Sequence, residues 1–256
     1  MYRKHFEGNR SVGRDRFEYI LDKYNLKVRK KKRKPRTTDL RHGLPTYPNQ
    51  AKSYIPTQAN RLWVSDITYI PIHINESKHI FCYLSLMLDA YSKEIVGWAV
   101  GETLETGHCI HALRMALKRV DVTSGKGLIH HSDRGCQYAS KEYTSLLREY
   151  GITISMTENG NPKDNAQAER INNTLKNELL KGKSFCDIKE VRETVEKAVL
   201  FYNTERPHMS INMMTPQEAA THTGEIKKGC TSYRDIAIKN LQTENIITNK
   251  CLSLGA

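Results

Sequence analysis

Three strand-like segments stand in a row between Leu62 and Val100, and strand and helix signals alternate after them. Leu62–Ile72 alternates loosely and is rich in β-branched and aromatic residues, the composition of a half-buried strand. His79–Leu88 and Glu94–Val100 read the same way, with Asp89–Lys93 as the turn between them. From Thr106 to Val120 the period changes, and Ile110, Leu113, Ala116, Leu117 and Val120 fall on one helical face. A short strand is predicted at Leu128–Ser132, a helix at Lys141–Tyr150 and a strand at Ile152–Met156. Glu158–Asp164 is a polar turn with Gly160 and Pro162, and helices are predicted at Asn165–Leu180 and Ile188–Asn203. Strands joined by tight turns run antiparallel, and strands joined through helices can run parallel. This order therefore predicts an α/β fold with a mixed sheet flanked by helices.

The flanks read differently. Residues 1–36 form a basic N-terminal region with a helix predicted from about Gly13 to Leu26. Its stripe is Phe17, Ile20, Leu21 and Tyr24, and Ser11 is a cap candidate. A dense cationic run follows: Arg29, Lys30, Lys31, Lys32, Arg33, Lys34 and Arg36, preceded by Lys27. Like charges this close repel, so the run is expected to be an arm. Residues 37–60 are rich in Pro, Thr, Asn and Gln and read as an extended linker. The core is expected over 61–220, with a helical C-terminal tail over 221–256.

The net charge of +12 favours a polyanionic partner. The longest apolar run, Ile80–Leu88, is far shorter than the ~20 residues of a membrane span. Met1–Arg10 lacks the apolar centre of a secretory signal. Six cysteines without a C-x-x-C pair fit reduced thiols in a cytoplasm, and no zinc-finger spacing is present.

Three acids stand out by position. Asp66 lies inside an apolar strand pattern, where a carboxylate is costly unless hydrogen bonds or a metal compensate it. Asp133 follows a strand end, a usual place for ligands in α/β sheets. Glu169 lies on the predicted helix Asn165–Leu180. Taken singly, Asp133 before Arg134-Gly135 also reads as a turn residue and Glu169 beside Arg170 as an exposed helix acid, and the case rests on the set. Cutting a phosphodiester by in-line displacement develops charge on two oxygens, which paired hard cations on carboxylates can stabilise. Among other acids, Asp164 is placed to cap the helix that follows it, and Asp89 reads as a turn residue. His130 and His131 could bind metal, but a His-His pair at a strand end more often packs or supports a site's ligands, and Trp63 and Trp98 read as core anchors.

Thirty-five residues separate Asp133 from Glu169. That spacing resembles the D-D-(35)-E signature of retroviral integrases and insertion-sequence transposases. The words around it resemble the second-reading-frame protein (OrfB) of IS-three-type insertion sequences. They are His131-Ser132-Asp133-Arg134-Gly135-Cys136-Gln137-Tyr138, then Gly160-Asn161-Pro162-Lys163-Asp164-Asn165-Ala166 with Glu169. Tyr202-Asn203, Arg206-Pro207-His208 and Thr215-Pro216 complete the match, which covers about 60–220. Cys136 departs from the pattern, where serine is common.

The resemblance implies a ribonuclease-H-like core and DNA transposition. Asp66, Asp133 and Glu169 would bind two Mg²⁺ ions, with Mn²⁺ as a substitute. Lys176, seven residues after Glu169 and so on the same helical face, would hold a DNA phosphate, and the basic arm would follow the backbone. The resemblance further implies a homo-oligomer acting on terminal repeats and target DNA in the cytoplasm, with an upstream first-frame protein (OrfA) as partner. Two other readings are a nuclease of the same fold, such as a junction resolvase, and a DNA binder without catalysis. The first would give no joined product, and the intact acids count against the second.

Overall fold

The computed structural model describes residues 13–24, 26, 43–74, 79–120, 127–158, 162–240 and 243. The central sheet has five strands: β1 (Leu62–His73), β2 (His79–Asp89), β3 (Ile95–Gly101), β4 (Ile129–Ser132) and β5 (Thr153–Met156). Their order across the sheet is β3-β2-β1-β4-β5. The first three pair antiparallel, and β4 and β5 add in parallel. The mixed sheet expected from the element order is therefore present.

Helices cover both faces. On one side lie α2 (Thr106–Leu117), α3 (Cys136–Ala139) and α4 (Lys141–Glu149), packed with Trp63, Met87 and Ile154. On the other lie α5 (Ala166–Thr174) and α6 (Ile188–Thr204), packed with Leu62, Val64, Ile70 and Ile72. Successive β1 residues thus feed opposite layers, and each fully buried side chain stabilises by about 1.5–3 kcal/mol. At Gly97 a Cβ would lie 2.1 Å from the Ala112 carbonyl oxygen. Only glycine lets β3 and α2 approach so closely.

The single helix expected over Asn165–Leu180 is a composite. A 3₁₀ turn at Pro162–Asn165 leads into α5, and a π turn at Leu175–Leu179 ends it. The Leu180 amide donates to the Leu175 carbonyl at 2.8 Å. Residues five apart sit on different faces of an α-helix, and an i→i+5 turn brings them together. Leu175 and Leu180 are both buried as a result.

The stretch before β1 and the C-terminal tail hold to the core. Ala51 belongs to the apolar cluster beneath α6. The Gln50 amide donates to Ser155 Oγ at 2.9 Å, and Lys52 pairs with Glu158 at 2.8 Å. The stretch expected as a linker is irregular, yet residues 50–60 lie along the core. Beyond α7 (Pro216–Ala220), residues 233–240 are helical, and Ile238 is buried. Arg234 donates to the Ala51 carbonyl at 2.5 Å, so this tail folds back onto the same stretch. Near the N-terminus, α1 (Arg14–Lys23) buries none of its residues. Ser11 and the cationic run from Lys27 to Arg36 lie outside the described residues.

Candidate active site

The β1–β4 register sets the site. Val64 stands opposite His131, and the strands run parallel. Two residues further on, Asp66 and Asp133 come level on adjacent strand lines, on the face covered by α5. Adjacent lines lie about 4.8 Å apart. Asp133 is one residue past β4, and its Oδ1 accepts from the Gly135 amide at 2.9 Å. Glu169 is exposed on α5, above this face.

Two asparagines seat α5 on β1. Asn165 Nδ2 donates to the Ser65 carbonyl at 2.8 Å. Asn172 Nδ2 donates to Asp66 Oδ2 at 2.8 Å, from one turn beyond Glu169. Lys176 follows a turn later and donates to Thr68 Oγ1 at 3.1 Å. Thr68 is two residues from Asp66 and shares its face. Lys176 thus sits on the Asp66 side of the sheet. Asn165, Asn172 and Thr68 are absent from the sequence-level site. The one local signal for them was a pair of asparagines inside a helix pattern, where asparagine is a weak helix former.

The Asp66 carboxyl is pushed up to about 7. Burial is the main cause and the negative charge of Asp133 the next. The hydrogen bonds from Asn172 and the Ile67 backbone pull the other way, and Glu169 adds a further upward push. Asp133 and Glu169 are therefore both within electrostatic reach of Asp66. As placed, no three His, Cys, Asp or Glu side chains among the described residues come close enough to hold one ion. The donor set still suits a hard cation: it is all carboxylate, and Asp66 is a buried charge facing two others of its own sign.

The neighbouring groups are structural. His131 is held down to about 4, chiefly by burial, and so is neutral. Its Nε2 faces the Asp164 carbonyl at 3.1 Å and therefore donates, leaving Nδ1 to accept from Ser155 Oγ at 2.8 Å. This ties β4 to β5 and to the turn before α5. Asp164 does not cap that helix, contrary to the sequence expectation. Its Oδ2 accepts from the Glu158 amide at 2.9 Å, closing the turn on itself, and Asn165 takes the cap position. Asp89 acts as the expected turn residue: its carboxylate accepts from the Tyr91, Ser92 and Asn60 amides. Trp63 is fully buried, and Trp98 packs partly exposed against the core.

Comparison with known proteins places this arrangement. The integrase core domain family matches residues 56–162, and a second integrase core domain model matches 150–216. The chain is 36% identical to the 31 kDa protein of insertion element IS600 of Shigella sonnei, over 80% of this chain and 74% of that protein. It is 34% identical to the transposase for insertion sequence element IS904 of Lactococcus lactis, over 63% of this chain and 62% of that one. The chain thus spans less than two thirds of the IS904 protein. Among solved structures, the simian T-cell lymphotropic virus intasome complex superposes with a TM-score of 0.54 at 20% identity. That match covers 76% of this chain and 66% of the other, and shows the ribonuclease-H-like fold. The chain belongs to the integrase-core family of insertion-sequence transposases. Among the described residues no helix is long and apolar enough to cross a membrane.

Proposed function

We propose that the chain cuts and joins DNA to move an insertion sequence, with Asp66, Asp133 and Glu169 as its catalytic acids. The observation that carries this is that Asp133, past the end of β4, and Glu169, on α5, both act on the buried Asp66 carboxyl of β1, in a chain of this family. The three would hold two Mg²⁺ ions, or Mn²⁺ in their place. Bound there, the ions would supply Lewis-acid charge to the attacking and leaving oxygens of a phosphodiester. The chain's own groups do the positioning. Asn172 fixes the Asp66 carboxylate, and the Gly135 amide fixes that of Asp133. Lys176 places an ammonium beside the acids, suited to a DNA phosphate. The cationic residues from Arg29 to Arg36 would follow the backbone further out. The substrates are the element's terminal repeats and target DNA. Several copies would act together on DNA in the cytoplasm, with the upstream first-frame protein as partner.

A strand-transfer assay tests this, using labelled terminal-repeat DNA with Mg²⁺ and the wild type beside Glu169→Gln. Joined product from the wild type alone is expected. Equal joining by the variant would remove Glu169 from the site. Should neither join, the assay is repeated with the upstream frame fused, and continued silence would favour a DNA binder without catalysis.

A further inference from the structure

Past Lys176 the π turn opens into a loop that lines a groove of about 360 Å³. Leu180 and Phe185 give it an apolar floor, and the β1 segment from Tyr69 to Pro71 borders it. Lys176, Lys181 and Lys183 line it as well, and no acidic residue does. Gly182 takes φ +75° between the two outer lysines, a left-handed turn open to glycine. The Phe185 carbonyl accepts from the His73 amide at 2.7 Å, which fixes the loop against the end of β1. Through Lys176 the groove neighbours the acid side of β1. Lys176 donates to Thr68, which lies roughly 7 Å along β1 from Asp66 at ~3.4 Å per residue.

Three cations over an apolar floor match one polymer well: a strand whose phosphates meet the ammonium groups and whose sugars and bases meet the floor. We propose that this groove holds one DNA strand leading away from the acid site, its phosphates on Lys176, Lys181 and Lys183 and a base or sugar over Leu180 and Phe185. The inference rests on reading the acids as a DNA-joining site. It adds a path for the strand and two phosphate contacts, Lys181 and Lys183, that the three acids do not require.

The test uses the full chain and fluorescein-labelled (dT)12, followed by anisotropy across a salt series. Lys181→Ala/Lys183→Ala is compared with the wild type and with Lys118→Ala/Lys141→Ala, which removes the same charge from the opposite face of the sheet. All four lysines are exposed, so the variants fold alike. Removing two phosphate contacts should lower the log–log salt slope by about 1.4, at roughly 0.7 per phosphate on a single strand. The control pair should leave the slope unchanged. An unchanged slope in the groove variant, or an equal fall in the control, overturns the proposal. Asp66→Asn is run in parallel for joining and for (dT)12 binding. Joining by that variant would count against the acid site alone, whereas a flat response at Lys181 and Lys183 counts against the groove alone.

Discussion

Replacing Asp66 by Asn separates what chemistry needs from what folding tolerates. Folding pushes this carboxyl from 3.8 to about 7. A carboxyl raised in this way supports the native state fully below its unfolded value, and that support is lost as pH rises through the folded value. At about 1.4 kcal/mol per pH unit, the interval from 3.8 to about 7 bounds the loss at roughly 4 kcal/mol. An amide has no charge to desolvate and none to set against Asp133. In metal-free buffer at pH 8, Asp66→Asn should therefore be more stable than the wild type by roughly 2–4 kcal/mol, or about 4–16 °C in melting temperature. Near pH 4 the two should melt together. Added Mg²⁺ should raise the melting temperature of the wild type and leave the variant's where it was. Circular dichroism melts from pH 4 to 8, with chelator and then with Mg²⁺, read all three effects. A variant no more stable than the wild type at pH 8 would refute the argument from burial and repulsion, whatever its joining activity.

Two further outcomes follow from the same geometry. At Gly135 an added Cβ would lie 3.0 Å from Asp133 Oδ1, while the backbone φ of −59° suits any residue. Gly135→Ala should keep its melting temperature and lose about 10–100-fold in joining rate, the scale of a small misplacement at a reacting centre; full joining would show that Asp133 is not held in this position for catalysis. His130 is held down to about 3 by burial, so the native state keeps it neutral while the unfolded chain protonates it near 6.5. Its support is present above 6.5 and is lost as pH falls toward 3, roughly 2 kcal/mol of it by pH 5. Urea titrations at pH 7 and 5 should show a shallower pH dependence for His130→Phe than for the wild type, and equal dependence would place the loss elsewhere.

The parts of this molecule legible in the sequence are those that depend on near neighbours. Alternation marked β1 to β3, helical spacing marked α2 and α6, and Asp66 stood out because it broke an apolar strand pattern. Asn172 could not be read in the same way. Its importance comes from a hydrogen bond to a residue 106 positions away, and nothing beside it in the chain signals that bond. The π turn was hidden for a related reason. Leu175 and Leu180 fit a continuous helix locally, and only the core they both enter selects the wider turn. Composition misled at the linker. Proline-rich sequence excludes a regular element there, but does not exclude the tight hold that Ala51 and Gln50 have on the core.

The two faces of the sheet also explain why charge collects where it does. Ser65 and His130 turn to one face, where His130 Nε2 meets Ser65 Oγ at 2.9 Å and the Tyr143 hydroxyl at 3.0 Å. Burial keeps this set neutral at neutral pH: His130 is held low, and the Tyr138 and Tyr143 hydroxyls are held well above their usual value. Asp66 and His131, one residue on, turn to the other face, and His131 is neutral as well. The packed interior thus offers Asp66 hydrogen bonds, and the charges that raise its carboxyl are those of two more acids. Relief can come from the open side, below α5, where Lys176 stands and where a metal ion and a DNA phosphate would arrive together. A one-residue slip of β1 would exchange the two faces, moving Asp66 into the neutral core. The Val64–His131 pairing therefore holds both the fold and the site in register.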